Sequence, residues 1–232
     1  MIKYIFDVDG TLTPSRGKIH NEFRTFMRKF MDSHDVYLVT GSDREKTVDQ
    51  IGIMLYNRAK YVYQCNGNDV WQKDTRLHSG VLDISDSLYQ DLHYELKKSK
   101  FPLRLGNHIE ERPGLVNFSI VGRNCGPDSR QVYVKYDKNT DERKIIAERL
   151  REKQPQYDIQ VAGETGIDIT AKGANKSQIL KYFKEDDIIW FFGDKTMYGG
   201  NDYEIANAVD KRNGKVFTIS TWRETWNVLK TQ

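Results

Sequence analysis

Apolar residues follow two rhythms along this chain. In the first they run together, broken only by Gln64 and Thr218: Tyr4 to Phe6, Val36 to Val39, Tyr61 to Cys65, Ile188 to Phe192 and Val216 to Ile219. Near-continuous runs of this kind mark strands covered on both faces, as in a parallel sheet. In the second rhythm they recur at helical spacing. Asn21 is placed to cap a helix whose apolar positions are Phe23, Phe26, Met27 and Phe30. Another helix is expected from Ser42-Asp43 to about Met54, and one starting around Lys172 to Lys176 packs through Ile179, Leu180 and Phe183. A final helix carries Trp222, Trp226 and Leu229. Asn66-Gly67 reads as a tight turn into a short hairpin, Val70-Trp71 against Arg76-Leu77. Strands alternating with helices predict an α/β fold with a Rossmann-like parallel sheet.

Near Val81 the pattern changes. Asp83 to Lys98 is amphipathic, with Leu88, Leu92 and Leu96 on one helical face. Short segments follow: Leu115 to Val121, Gln131 to Tyr136, a helix from Asp141 to about Lys153, then Tyr157 to Val161 and Gly166 to Thr170. Hairpin-like strands with two helices on one face predict an inserted α+β domain over residues 82–172, which leaves 1–81 and 173–232 to form the core.

Composition narrows the function classes. At 232 residues there is room for one large domain or two modest ones. The net charge of +3, from 36 basic and 33 acidic residues, is too balanced for a nucleic-acid-binding surface. No apolar run approaches membrane-spanning length, and the N-terminal residues enter a strand without a signal-peptide pattern. Cys65 and Cys125 have no metal-ligand spacing and read as reduced thiols, so a cytoplasmic protein is expected.

The chemistry is concentrated at strand ends. The first strand stops at Asp7-Val8-Asp9-Gly10-Thr11-Leu12-Thr13, and the carboxyl end of a strand is where α/β sheets bind ligands. Two carboxylates held close together call for a cation between them, and a hard divalent ion, Mg²⁺ by preference, suits oxygen donors. With a metal bound, one aspartate can serve as nucleophile and the other as general acid/base. Thr40 and Ser42 lie at a strand end before a helix, an arrangement that cradles anions, and both fit the role of phosphate holder. Arg16 lies just beyond the paired aspartates, and Lys176 can return to offset their charge. The apolar strand ending at Phe192 leads into Asp194 and then Asp202, which can complete a metal's ligand set. In the insert, Arg112, Arg123 and Arg130 stand near turns or segment ends and can converge on a phosphate through forked hydrogen bonds.

The Asp-x-Asp-Gly-Thr-Leu-Thr string resembles the first motif of the haloacid dehalogenase-type (HAD) phosphotransferases, in which the first aspartate takes a phosphoryl group and the second protonates the leaving group. The loop Phe191-Phe192-Gly193-Asp194-Lys195-Thr196-Met197, followed by Gly199-Gly200-Asn201-Asp202, narrows the resemblance to the eukaryotic-type phosphomannomutases. Gly41-Ser42-Asp43-Arg44-Glu45-Lys46 looks like that family's Gly-Ser-Asp-x-Glu-Lys stretch. The resemblance implies a HAD core with a mobile type IIB-like α+β cap, Mg²⁺ dependence and dimerisation through the cap. It implies interconversion of mannose 6-phosphate and mannose 1-phosphate, with Asp7 as nucleophile, Asp9 as general acid/base and a sugar 1,6-bisphosphate as activator. Metal ligands would come from Asp7, Asp9, Asp194 and Asp202, and substrate contacts from Arg16, Arg112, Arg123, Arg130 and Asp168. The chain departs from the family at Tyr198, where the family has proline, and at Gly166, where it has a substrate-contacting serine. Ala206 and Ala208 replace part of its second cation site. A sugar-phosphate phosphatase on the same scaffold would share the chemistry at Asp7. A non-catalytic sugar-phosphate sensor would have no use for the intact Asp7, Asp9, Lys176 and Asp194.

Overall fold

The computed structural model describes residues 2–231. The chain opens with β1 (Ile2–Phe6), α1 (Asn21–Ser33), β2 (Asp35–Val39), α2 (Arg44–Ile51), α3 (Ile53–Tyr56), β3 (Val62–Gln64), β4 (Asp69–Gln72) and β5 (Thr75–Ser79). There follow α4 (Asp86–Lys98), β6 (Asn107–Arg112), β7 (Leu115–Arg123), α5 (Pro127–Thr140), α6 (Glu142–Lys153), β8 (Tyr157–Ala162) and β9 (Gly166–Ala171). A 3-10 segment (Lys176–Tyr182), β10 (Ile188–Gly193), α7 (Tyr203–Lys211), β11 (Lys215–Thr218) and α8 (Trp222–Leu229) complete it. The chain divides into two compact units, one made of the residues up to Gly80 together with those from Ala174 onward, the other of Val81–Gly173. No helix among the described residues is long and apolar enough to cross a membrane.

The first unit is built on a seven-stranded sheet in the order β11-β10-β1-β2-β3-β4-β5. Its first five strands are parallel, and the β4–β5 hairpin adds two antiparallel strands at one edge. β1 lies centrally, with Phe6 paired to Phe192 on one side and Leu38 on the other. That register brings the residues after β1, β2 and β10 to a common carboxyl edge. Alternation along β1 sends Tyr4 and Phe6 to a cluster with Phe23, Met27 and Trp222, while Ile5 packs on the other face with Ile179, Phe191 and Ile205.

The second unit is an antiparallel sheet, β6-β7-β9-β8. Val116, Phe118, Ile120, Ile159, Ile167 and Ile169 alternate onto one face, where they meet Leu88 and Leu92 of α4, Tyr133 of α5 and Ile146 and Leu150 of α6.

Four elements differ from the sequence expectation. Asn21 is the first residue of α1 rather than its cap; His20 holds the cap position, and the Asn21 side chain accepts from Arg24. The helix expected to reach Met54 breaks at Gly52, whose φ of +81° leaves the helical region. Gln131 to Tyr136 is helical, not extended. Gly126 caps α5 and Pro127 starts it, a placement that favours helix initiation. The second unit therefore carries three helices instead of two. Strand β6 has no counterpart in the sequence pattern, because His108-Ile109-Glu110-Glu111-Arg112 lacks the alternation that marks a half-buried strand.

Candidate active site

The β1 strand ends at Asp7, whose N–H donates to Phe192 O at 2.9 Å and so continues the sheet by one residue. Beyond β10, Gly193 leads to Asp194, and a tight turn through Gly199 and Gly200 brings Asp202 back to the start of α7. Lys195 N–H donates to Asp202 Oδ2 at 3.0 Å and fixes that side chain. Carboxylate oxygens of Asp7, Asp194 and Asp202 all lie within 4.8 Å of one another. Two glycines make this approach possible. A Cβ on Gly10 would stand 2.6 Å from Asp194 Oδ2, and one on Gly193 would stand 2.8 Å from Asp202 Oδ2.

Lys176 enters the cluster from the first turn of the 3-10 segment, where Asn175 accepts from Ser177 N–H as the cap. Its ammonium is fully buried and donates to Asp7 Oδ1 and Asp202 Oδ1, each at 2.7 Å. Burial alone would lower its pKa, but Asp202 and Asp7 outweigh that and hold it above the usual lysine range. Even with the Lys195 ammonium on Asp194, Lys176 leaves the three carboxylates short of positive charge. Burial, with the charges of Asp202 and Asp194 added, pushes Asp7 up to about 8 against the pull of Lys176. Asp194 is raised as well, chiefly by burial, despite Lys195 at 2.7 Å. A buried, oxygen-only donor set with unbalanced negative charge fits a hard divalent cation such as Mg²⁺.

Asp9 departs from the expected ligand set. Its carboxylate does not join the cluster. Instead it accepts from Arg16 N–H at 2.6 Å and Gln50 Nε2 at 2.9 Å on Oδ1, and from Ser42 Oγ at 3.3 Å and Lys46 Nζ on Oδ2. Burial would raise its pKa; Lys46 and the other donors win and lower it. Two carboxylates two residues apart point differently here because α2 presents Lys46 and Gln50 to only one of them, while Lys176 meets the other. Arg16 reaches Asp9 through its backbone, with φ +56°. Of the two hydroxyl candidates, Ser42 faces Asp9, whereas Thr40 Oγ1 accepts from Ser42 N–H at 3.1 Å and shapes the loop. Lys46 and Gln50 were not given roles from sequence. The available signal was spacing: Ser42, Lys46 and Gln50 are four residues apart, and 46 and 50 share one face of α2.

In the second unit, Arg112 and Arg123 both pair with Glu110, at 3.0 and 2.6 Å. Arg130 goes elsewhere and donates to Thr165 Oγ1 at 3.1 Å. Asp168, directly opposite Asn117 in the β7–β9 ladder, accepts from Asn117 Nδ2 at 2.6 Å. The same amide explains Gly166, since a Cβ there would lie 2.5 Å from Asn117 Nδ2. Asn117 Oδ1 is buried and has no protein partner.

A family model described as eukaryotic phosphomannomutase matches residues 23–230. The chain belongs to the eukaryotic phosphomannomutase family. Its match to phosphomannomutase 1 of Dictyostelium discoideum is 34% identical and covers 97% of this chain and 94% of that one. The phosphomannomutase of Galdieria sulphuraria is 35% identical over 87% of this chain and 83% of its own length. Among solved structures, a haloacid dehalogenase-like hydrolase from Bacteroides thetaiotaomicron superposes with a TM-score of 0.57 over 95% of each chain, at 13% identity. The IMP-nucleotidase of Plasmodium falciparum superposes with a TM-score of 0.62 over 98% of this chain and 67% of that one, at 15% identity. These two likenesses establish a shared HAD-like fold. The family match spans Lys176, Asp194, Asp202 and the three arginines of the second unit, while Asp7 and Asp9 precede it.

Proposed function

We propose that this phosphomannomutase-family enzyme interconverts mannose 6-phosphate and mannose 1-phosphate, with Asp7 as the phosphoryl acceptor, Mg²⁺ as cofactor and a sugar 1,6-bisphosphate as the priming species. The observation that supports this most directly is the buried Asp7–Asp194–Asp202 cluster with Lys176 seated in it. A binding protein gains nothing from burying three carboxylates, whereas a phosphoryl-transfer site needs a nucleophile and a place for a cation.

Asp7, Asp194 and Asp202 would hold the metal, which supplies positive charge opposite the transferring phosphoryl oxygens. Asp7 provides the carboxylate oxygen that attacks phosphorus. Lys176 pulls against the burial that disfavours the charge on that carboxylate, and it aims the group because its ammonium is anchored at the same time on Asp202. Asp9, ionised at rest, takes a proton from the attacking sugar hydroxyl and gives it back to the sugar oxygen that departs in the next transfer. Ser42 adds a hydroxyl beside Asp9. Arg112, Arg123 and Arg130 offer guanidinium groups to a phosphate, which must compete with Glu110 for the first two. Pairing of two chains through the second unit is part of this reading.

Metal removal tests it. Chelation should abolish the isomerisation of mannose 1-phosphate in a coupled assay, and added Mg²⁺ should restore it. Isomerisation that continues in excess chelator would remove the carboxylate cluster from the mechanism.

A further inference from the structure

A phosphoryl enzyme that serves as a mutase has to wait for a sugar without losing its phosphoryl group to water. The group that decides between these fates is the base that takes the attacker's proton. In this structure that base, Asp9, is tied down. Both of its oxygens accept hydrogen bonds, and the charged donor is Lys46, which also donates to Ser42 Oγ at 2.9 Å. Lys46 itself lies in the first turn of α2, whose N-terminus is fixed by Asp43 accepting from Lys46 N–H at 2.8 Å. Gln50, one turn further on, holds the other oxygen and is also within reach of Thr13 Oγ1 at 3.2 Å and Gly17 O at 3.4 Å. Asp9 is thus restrained from α2 rather than left free beside Asp7.

We propose that Lys46 is a positioning residue that holds Asp9 in an orientation unproductive toward water, and so favours phosphoryl transfer to a sugar over hydrolysis. The inference rests on the function proposed above. In the hydrolytic step, a water oxygen bonds to phosphorus and the P–O bond to Asp7 breaks. The electron pair returns to the Asp7 carboxylate, the water's proton passes to Asp9, and inorganic phosphate leaves. In the productive step a sugar hydroxyl takes the place of water and a sugar bisphosphate leaves. Displacing the Lys46 hydrogen bond from Asp9 costs free energy. A bound sugar phosphate has binding energy from the rest of its structure to offset that cost, and a water molecule has none.

The test is the lifetime of the phosphoryl enzyme. Mg²⁺-loaded protein is labelled from radioactive glucose 1,6-bisphosphate, freed of donor by rapid desalting, and followed for loss of label to inorganic phosphate. In Lys46→Met the lifetime should shorten roughly tenfold or more, a part of the ~10²–10⁴ that a positioned base contributes. Its melting temperature should fall only modestly, since Asp9 keeps Gln50, Ser42 and the Arg16 N–H as donors. Lys46→Arg, which keeps a cationic donor, should return the lifetime most of the way. Equal lifetimes in wild type and Lys46→Met overturn the inference, as does an arginine variant that decays as fast as the methionine one. A wild-type protein that takes no label overturns the functional reading itself, and the inference with it.

Discussion

Asp7→Asn should lower turnover by a factor of ~10⁵ or more, the scale on which removal of an enzyme's nucleophile acts. The amide oxygen is a poor nucleophile, and no other carboxylate can replace it: Asp202 is pinned by Lys176 and Lys195 N–H, and Asp9 by its four donors. The fold should survive. Asp7 is the member of the cluster whose ionised form burial disfavours, with its pKa pushed up to about 8. A carboxyl group with a folded-state pKa above its unfolded value contributes stability that is fully present below the unfolded value of 3.8 and is lost as pH rises toward 8. In metal-free protein the wild type should therefore lose stability across that range, and Asp7→Asn should lose less. Activity near the wild-type level, or failure of the variant to fold, would each count against the role assigned to Asp7. Melting curves at several pH values beside a turnover assay distinguish the two.

Lys176→Met should have the largest effect on stability. The methionine matches the length of the lysine stem but leaves Asp7 and Asp202 without the ammonium that each contacts at 2.7 Å. Breaking a buried ion pair from one side costs about 3–5 kcal/mol, because the remaining charge stays out of water. For a chain of this size that corresponds to a fall in melting temperature of roughly 6–20 °C. Added Mg²⁺ should recover part of the loss, since a cation can stand in for the missing charge. Turnover should fall by roughly 10²–10³ even with the metal present, as when a preorganised donor is removed from a reacting site. A variant as stable as the wild type in chelator would mean that the three carboxylates do not share their charge with Lys176.

The strand-end aspartates show what could be read without coordinates. Tyr4 to Phe6 is apolar and brief, so Asp7 had to lie at its carboxyl end, and the same reasoning placed Asp194 after Ile188 to Phe192. Lys176 was likewise expected at the paired aspartates. Asp202 is expected among the metal's ligands, but its direct contact with Lys176, twenty-six residues away, is not legible, because it depends on how the turn through Gly199 and Gly200 closes. Asp9 shows the limit more clearly. Spacing says that Asp7 and Asp9 are near neighbours, but which way each carboxylate turns is decided by Lys176 on one side and by Lys46 and Gln50 of α2 on the other. In the second unit, the apolar and β-branched content of Gln131 to Tyr136 suggests an extended segment. The helix follows from the Gly126-Pro127 start and from the buried pair Tyr133 and Asp137, one turn apart. The arginines were legible as a set of three, whereas their division between Glu110 and Thr165 required the packing of β6, a strand with too little alternation to be seen.

Mutase chemistry through Asp7 is tested most directly by a phosphorus NMR time course. Mg²⁺-loaded protein is given mannose 1-phosphate, with and without a catalytic amount of glucose 1,6-bisphosphate. Conversion to mannose 6-phosphate, accelerated by the bisphosphate and accompanied by little inorganic phosphate, is the expected result. Accumulation of inorganic phosphate with no isomer would contradict it and identify a phosphatase that uses the same aspartates.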